Sequence, residues 1–149
     1  MDKLTIEERS KNMSAIRSRD TKPELMIRKW LFAQGYRYRI NVKSLPGHPD
    51  LYLRKYNTAI FVNGCFWHRH EGCKYAYSPK SKTEFWEKKF SQNIRRDKTV
   101  KEVLSEKKIK QLIIWECTIK KMARDTDYKT EIIRIITKFL KNNEKYTEL

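Results

Sequence analysis

The chain has 149 residues, with 34 Lys+Arg against 18 Asp+Glu and a formal net charge of +16. That length suits one domain with a real core. The aromatic fraction of 12% argues against disorder, and only four glycines and four prolines exclude collagen-like and linker chains. No apolar run approaches the ~20 residues of a membrane helix, the N-terminus does not read as a secretory leader, and the charge points to a polyanionic partner, nucleic acid before anionic membrane or ribosome.

Residues 1–20 are polar apart from Leu4, Ile6, Met13 and Ile16. Thr5 with Glu8 can cap a short helix, but too few apolar side chains remain to hold it on a core. These residues are expected to form an arm that is mobile when free, with residues 21–149 forming the folded domain. Thr21-Lys22-Pro23-Glu24 opens a helix with Thr21 as N-cap and Pro23 in the first turn. Ile27, Trp30 and Leu31 give it a buried stripe, and Gly35 ends it. From Tyr36 to Lys43 apolar and cationic residues alternate, predicting a half-buried strand with a cationic outer face.

Residues 44–49 read as a loop, followed by a strand at about 50–54, a turn at 55–57 and a buried strand over 58–62. Residues 63–82 carry Gly64, Gly72 and Pro79 and read as a long ordered loop, which in a compact domain usually has a function or a staple. A long helix starts near Thr83 and extends towards Lys107, with Trp86, Phe90, Asn93 and Asp97 on one face and Lys88, Lys89, Arg95, Arg96 and Lys98 around it. Residues 109–117 are apolar enough for a buried strand. The tail from about 127 to 141 is amphipathic through Ile132, Ile135, Ile136, Phe139 and Leu140. The expected order is α-β-β-β-α-β-α, a mixed central sheet flanked by helices.

The three cysteines cannot close a disulfide framework and read as reduced cytosolic thiols. Cys65-x4-His70-x2-Cys73 places three metal-ligand types within nine residues, and Cys117 lies at the end of the last predicted strand. Four such ligands complete a tetrahedral zinc shell, which makes the site structural. Buried cysteines are often plain small hydrophobes, but a Cys/His cluster in a polar, glycine-bearing loop suits that reading poorly. Spacing leaves open whether His70 or His68 is the fourth ligand. The remaining histidine is either a solvated surface residue or a base able to act near neutral pH.

Pro49-Asp50 before a strand, with a second strand ending at Asn63, has the outline of a nuclease site holding a divalent metal at a phosphate. The acid-x-Lys usual on the second strand is replaced by Phe61-Val62-Asn63. Taken together, however, the chain resembles the very short patch repair (Vsr) endonucleases. The likeness is carried in order by Arg9-Ser10-Lys11-Asn12-Met13, Ser44-Leu45-Pro46-Gly47-His48-Pro49-Asp50, Ile60-Phe61-Val62-Asn63-Gly64-Cys65-Phe66-Trp67-His68-Arg69-His70, Lys82-Thr83-Glu84-Phe85-Trp86, Asn93-Ile94-Arg95-Arg96-Asp97 and Trp115-Glu116-Cys117.

The resemblance implies a restriction-endonuclease-like α/β fold with structural zinc and a DNA-contacting N-terminal arm. It implies magnesium-dependent nicking of one strand of double-stranded DNA, 5′ to the thymine of a T:G mismatch, by a monomeric cytoplasmic enzyme. Zinc would take Cys65, His70, Cys73 and Cys117. Asp50 would hold magnesium with the main-chain carbonyl of Val62, His68 would serve the attacking water, and Glu24 would sit near both. Phe66, Trp67 and Trp86 would wedge between base steps, and Met13 on the arm would enter from the minor groove. Asn93, Arg95 and Arg96 would lie along the DNA, the arginines tracking its backbone.

The family usually has a histidine where this chain has Asn63, and often a threonine where it has Val62. Asn63 can orient a water or phosphate but cannot exchange a proton. The capping box alone accounts for a glutamate at position 24. Two other readings stand beside the mismatch enzyme: a Vsr-like restriction-associated endonuclease with another target, and a zinc-stapled DNA-binding module without catalysis.

Overall fold

The computed structural model describes residues 20–149; Met13 and nearly all of the expected arm lie outside the described residues. Helix α1 spans Lys22–Ala33, and its N-cap Thr21 accepts from the Glu24 N–H. Two short strands follow, β1 (Arg39–Ile40) and β2 (Leu51–Leu53), and a single 3₁₀ turn leads into β3 (Thr58–Asn63). Helix α2 is the long one, Thr83–Glu106, and β4 is Lys110–Trp115. Helices α3 (Glu116–Arg124) and α4 (Thr126–Lys141) precede a last strand, β5 (Tyr146–Glu148).

The five strands form one mixed sheet in the order β1-β2-β3-β4-β5. The first three are antiparallel neighbours, whereas β4 runs parallel to both β3 and β5. The central pair β3 and β4 is buried on both faces, as parallel strands under helices should be. Alternation along them sorts the side chains into two cores. Ile60, Leu112 and Ile114 pack with Ile27 and Leu31 of α1, Ile119 and Met122 of α3, and Ile132, Ile136 and Phe139 of α4. Ala59, Phe61, Ile113 and Trp115 pack on the opposite face with Leu104 of α2 and Cys65. The second face, roofed by α2 and the long loop, carries the site.

Three expectations need correction. The strand predicted over 36–42 is only two residues long, and both are exposed. Tyr36 is core and bonds Thr137 Oγ1 at 3.0 Å, Tyr38 donates to the Arg28 carbonyl at 2.8 Å, and Asn41 turns left-handed at φ 47°. The left-handed Asn41 breaks the regular ladder, although the Asn41 and Val42 N–H groups still bond the Asp50 and Pro49 carbonyls at 3.1 and 3.0 Å. Second, β4 stops at Trp115, so Cys117 sits in the first turn of α3 rather than on a strand. The apolar run through Ile113, Ile114 and Ile119 conceals this change of period. Third, β5 was not anticipated: Tyr146-Thr147-Glu148 is short and polar, and only its register beside β4 makes it a strand.

Candidate active site

A cleft of about 930 Å³ opens on the second face, between α2, the 43–50 loop and the ends of β3–β5. Glu24, Asp50, Val62, Asn63, His68 and Asp97 all line it, together with Lys43, Arg96, Lys98 and Lys101. Gly47 sets the width at one point. Its φ is +75°, and a Cβ there would lie 2.6 Å from a Val100 methyl on α2, so only glycine lets the loop approach so closely.

Asp50 precedes β2, and its Oδ2 accepts from the Val62 N–H of β3 at 2.7 Å. The antiparallel pairing of β2 with β3 is what brings the two together. Burial pushes this carboxyl up from 3.8 to about 7, Glu24 adds a like charge, and the Val62 N–H, Arg28 and His68 oppose the rise. Glu24 is 4% exposed and accepts the Asp20 N–H at 2.7 Å and Arg28 Nη2 at 3.4 Å. It therefore ties down the helix start and lines the cleft at once. Asn63 ends β3, buried and facing the same space.

His68 comes from the long loop, and its Nδ1 lies 2.7 Å from Asp97 Oδ2 on α2. An ionised carboxylate only accepts, so Nδ1 carries the proton and Nε2 is left as the basic nitrogen. In the sequence Asp97 stands on a helix face and in the family-like segment Asn93-Ile94-Arg95-Arg96-Asp97, with no role assigned to it. Its one cue was an acid inside the basic run Arg95-Arg96-Asp97-Lys98. Asn93, one turn earlier, is 5% exposed, and its amide donates to the Trp67 carbonyl at 2.9 Å. It is spent on holding the loop and does not lie open on the surface. Arg96 donates to Asn93 Oδ1 at 3.3 Å and reaches the cleft; Arg95 is exposed and not among the residues that line it.

The aromatic residues beside His68 form one cluster. Phe66 meets Trp67 edge-to-face at 5.1 Å and Trp86 at 5.4 Å, and Trp67 lies 5.7 Å from Trp86. All three are half-buried, while Phe85 and Tyr77 beside them are more than half exposed. Arg69, which the sequence did not single out, organises this loop. It sits 4.0 Å from the Phe90 ring centroid and donates to the carbonyls of Phe66, Ala76 and Tyr77.

Cys65, His70, Cys73 and Cys117 converge, with their ligand atoms all within 4.8 Å of one another. His70 is the histidine that joins the cysteines, its Nδ1 3.4 Å from Cys117 Sγ, and His68 is the one left for the cleft. No two of the cysteines are disulfide-bonded. Burial pushes the Cys65 thiol up to about 12, and the neighbouring Cys117 sulfur adds to the rise. Two further sulfurs gathered around the buried Cys65 thiol are a poor arrangement without a counter-charge, and a divalent cation would supply it by holding all three as thiolates. The cluster staples the long loop to the first turn of α3 and so fixes the position of His68, two residues from His70.

No helix among the described residues is long and apolar enough to cross a membrane. The family model described as "DNA mismatch endonuclease Vsr" matches residues 1–74. The DNA mismatch endonuclease Vsr of Escherichia coli K12 is 41% identical over 126 residues, covering 85% of this chain and 78% of that one. The type II nicking enzyme V.NmeAIP of Neisseria meningitidis serogroup A is 41% identical over 91% of this chain and 96% of its own. The type II nicking enzyme V.HpaIIP of Haemophilus parainfluenzae is 46% identical over 70% of this chain and 74% of its own. These likenesses establish that the chain belongs to the Vsr family of endonucleases.

Proposed function

We propose that this protein is a magnesium-dependent DNA endonuclease that nicks one strand of a duplex 5′ to the thymine of a T:G mismatch, on a restriction-endonuclease-like fold stapled by zinc. The observation that carries the reading is the pairing, in one basic cleft, of Asp50 held by the Val62 N–H with His68 held by Asp97. The name of the Escherichia coli relative, a DNA mismatch endonuclease, supports DNA as the substrate; the proposed enzyme is a cytoplasmic monomer.

Asp50, sharing its surroundings with Glu24, is in an environment that favours a cation. Its Oδ2 is committed to Val62, leaving Oδ1 and the main-chain carbonyl of Val62 to hold magnesium. When bound, the ion supplies positive charge at a non-bridging phosphate oxygen. His68 Nε2 accepts the proton of the attacking water, and Asp97 holds the ring in the required tautomer and stabilises it once protonated. Asn63 orients a water or phosphate by hydrogen bonding. Lys43, Arg96, Lys98 and Lys101, with Arg95 outside the cleft, attract the DNA backbone. His68→Ala is expected to lower the single-turnover nicking rate by roughly 10²–10⁴-fold without weakening DNA binding; a near-wild-type rate would remove His68 from the reaction.

Phe66, Trp67 and Trp86 form the wedge, with Met13 of the arm entering opposite. Unstacking costs a few kcal/mol and less at a mispair, so an aromatic wedge favours mismatched sites. Trp67→Ala is expected to weaken binding to a T:G duplex more than to its T:A counterpart while the salt slope stays nearly constant, since no phosphate contact is lost. Equal weakening accompanied by a large drop in Tm would mean that Trp67 is purely core.

The Neisseria and Haemophilus relatives are named as type II nicking enzymes, which leaves room for a second reading, a restriction-associated nicking enzyme with another target. A duplex end-labelled on each strand in turn tests the proposal. With magnesium, only the strand carrying the mispaired thymine should be shortened. Cleavage of both strands, or binding without any cleavage, contradicts it.

A further inference from the structure

The zinc cluster has a neighbour that its four ligands do not explain. The His70 imidazole lies flat on the Trp115 indole, with centroids 4.1 Å apart and planes 7° from parallel. Trp115 is 8% exposed, so its indole position is set by what surrounds it. At the edge of the indole, Trp115 Nε1 donates to Glu148 Oε1 at 3.0 Å. Glu148 is placed there by β5: its register partner is Ile113, and the Trp115 N–H and Ile113 carbonyl both bond the backbone of Leu149, at 2.9 and 2.8 Å. A continuous line of contacts thus runs from the last strand through one carboxylate and one indole to a metal-ligating histidine. Groups that orient a metal-bound imidazole from the outer shell set how long the metal stays.

We infer that Glu148 is a positioning residue for the metal centre, holding the Trp115 indole so that it supports the His70 ring in the ligating orientation, and that β5 is present in this fold to deliver it. The inference rests on zinc as the occupant of the Cys65–His70–Cys73–Cys117 cluster. It makes Glu148 distinct from Asp50, Glu24 and Asp97, although its side chain borders the same cleft. A glutamine at this position still offers an oxygen to the indole N–H, whereas an alanine does not. Phenylalanine at position 115 keeps a ring to stack on His70 but has no N–H for Glu148.

The test is zinc release from the loaded, full-length protein into a chromogenic chelator at neutral pH. Glu148→Ala is expected to release zinc about tenfold faster than wild type, at the low end of outer-shell effects because the contact acts through the indole. Glu148→Gln should stay within about twofold of wild type. Trp115→Phe should match Glu148→Ala, and the double variant should be no faster than either single one, since both break the same contact. Unchanged release from Glu148→Ala, or equally fast release from Glu148→Gln, overturns the inference. If Trp115→Phe does not fold, the alanine–glutamine pair still decides. Wild-type protein that contains no zinc would contradict the occupant and not the positioning contact, so the two failures are told apart.

Discussion

Asp50→Asn is expected to abolish nicking and, in magnesium-free buffer, to make the protein more stable at neutral and alkaline pH. The first effect follows from losing the carboxylate that, in the proposed mechanism, holds the ion that positions the phosphate. The second follows from the cost of that carboxylate in the fold. Burial, and then Glu24, raise its pKa from 3.8 to about 7. A carboxyl whose folded pKa lies above its unfolded value contributes stability in full below the unfolded value, and this is lost as pH rises through the folded one. The loss begins near 4 and is complete a little above 7. A rise of about three units corresponds to about 4 kcal/mol at 1.36 kcal/mol per unit. Opening of the cleft to water reduces this to on the order of 2–4 kcal/mol. Asparagine carries no charge and avoids the cost, so the Tm advantage of the variant should grow from near zero at about pH 4 to roughly 5–12 °C at about pH 8. Magnesium should narrow the gap by stabilising only the wild type. Thermal melts across this range, with and without magnesium, measure it. A gap that does not change with pH would mean that Asp50 is not strained.

Loss of the zinc ligands should be as severe as loss of the carboxylate. Wild-type protein is expected to contain about one zinc equivalent, and Cys73→Ser to contain almost none. Structural zinc contributes about 10–16 kcal/mol in zinc-finger peptides, so even a fraction of that here exceeds what the rest of the 63–82 loop can supply, with few buried residues of its own. The loop should become sensitive to protease between Gly64 and Lys82, and nicking should fall to background because His68 no longer faces Asp97. Metal analysis and limited proteolysis of the purified variant are the measurements. Full zinc retention in Cys73→Ser would remove that residue from the shell.

The elements legible in the sequence were those with a strong local signal. Thr21 and Glu24 marked the start of α1, and the buried run at 58–62 marked β3. The one-sided face through Trp86, Phe90 and Asn93 marked α2. The Cys65–His70–Cys73 spacing pointed to a cluster with Cys117 as its fourth member, and the fold brings Cys117 to it from 44 residues beyond Cys73. What stayed hidden depends on partners distant in the chain. Nothing local in Tyr146-Thr147-Glu148 signals a strand; the free edge of β4 creates it. Asp97 becomes the partner of His68 only because the loop that carries the Cys/His cluster folds back 29 residues onto α2. The buried place of Asn93 was likewise invisible, because the carbonyl it serves, that of Trp67, belongs to the same loop.

The account stands most directly on mismatch-dependent chemistry at the cleft. The decisive measurement is the single-turnover nicking rate, with magnesium, on two duplexes that differ only in carrying T:G or T:A at one position. The expected result is fast cleavage immediately 5′ to the mispaired thymine, slower cleavage of the matched duplex by at least about tenfold, as follows from about 1.4 kcal/mol or more of wedge discrimination, and no cleavage of either by Asp50→Asn. Equal rates on both duplexes, or cleavage that survives in Asp50→Asn, would contradict it.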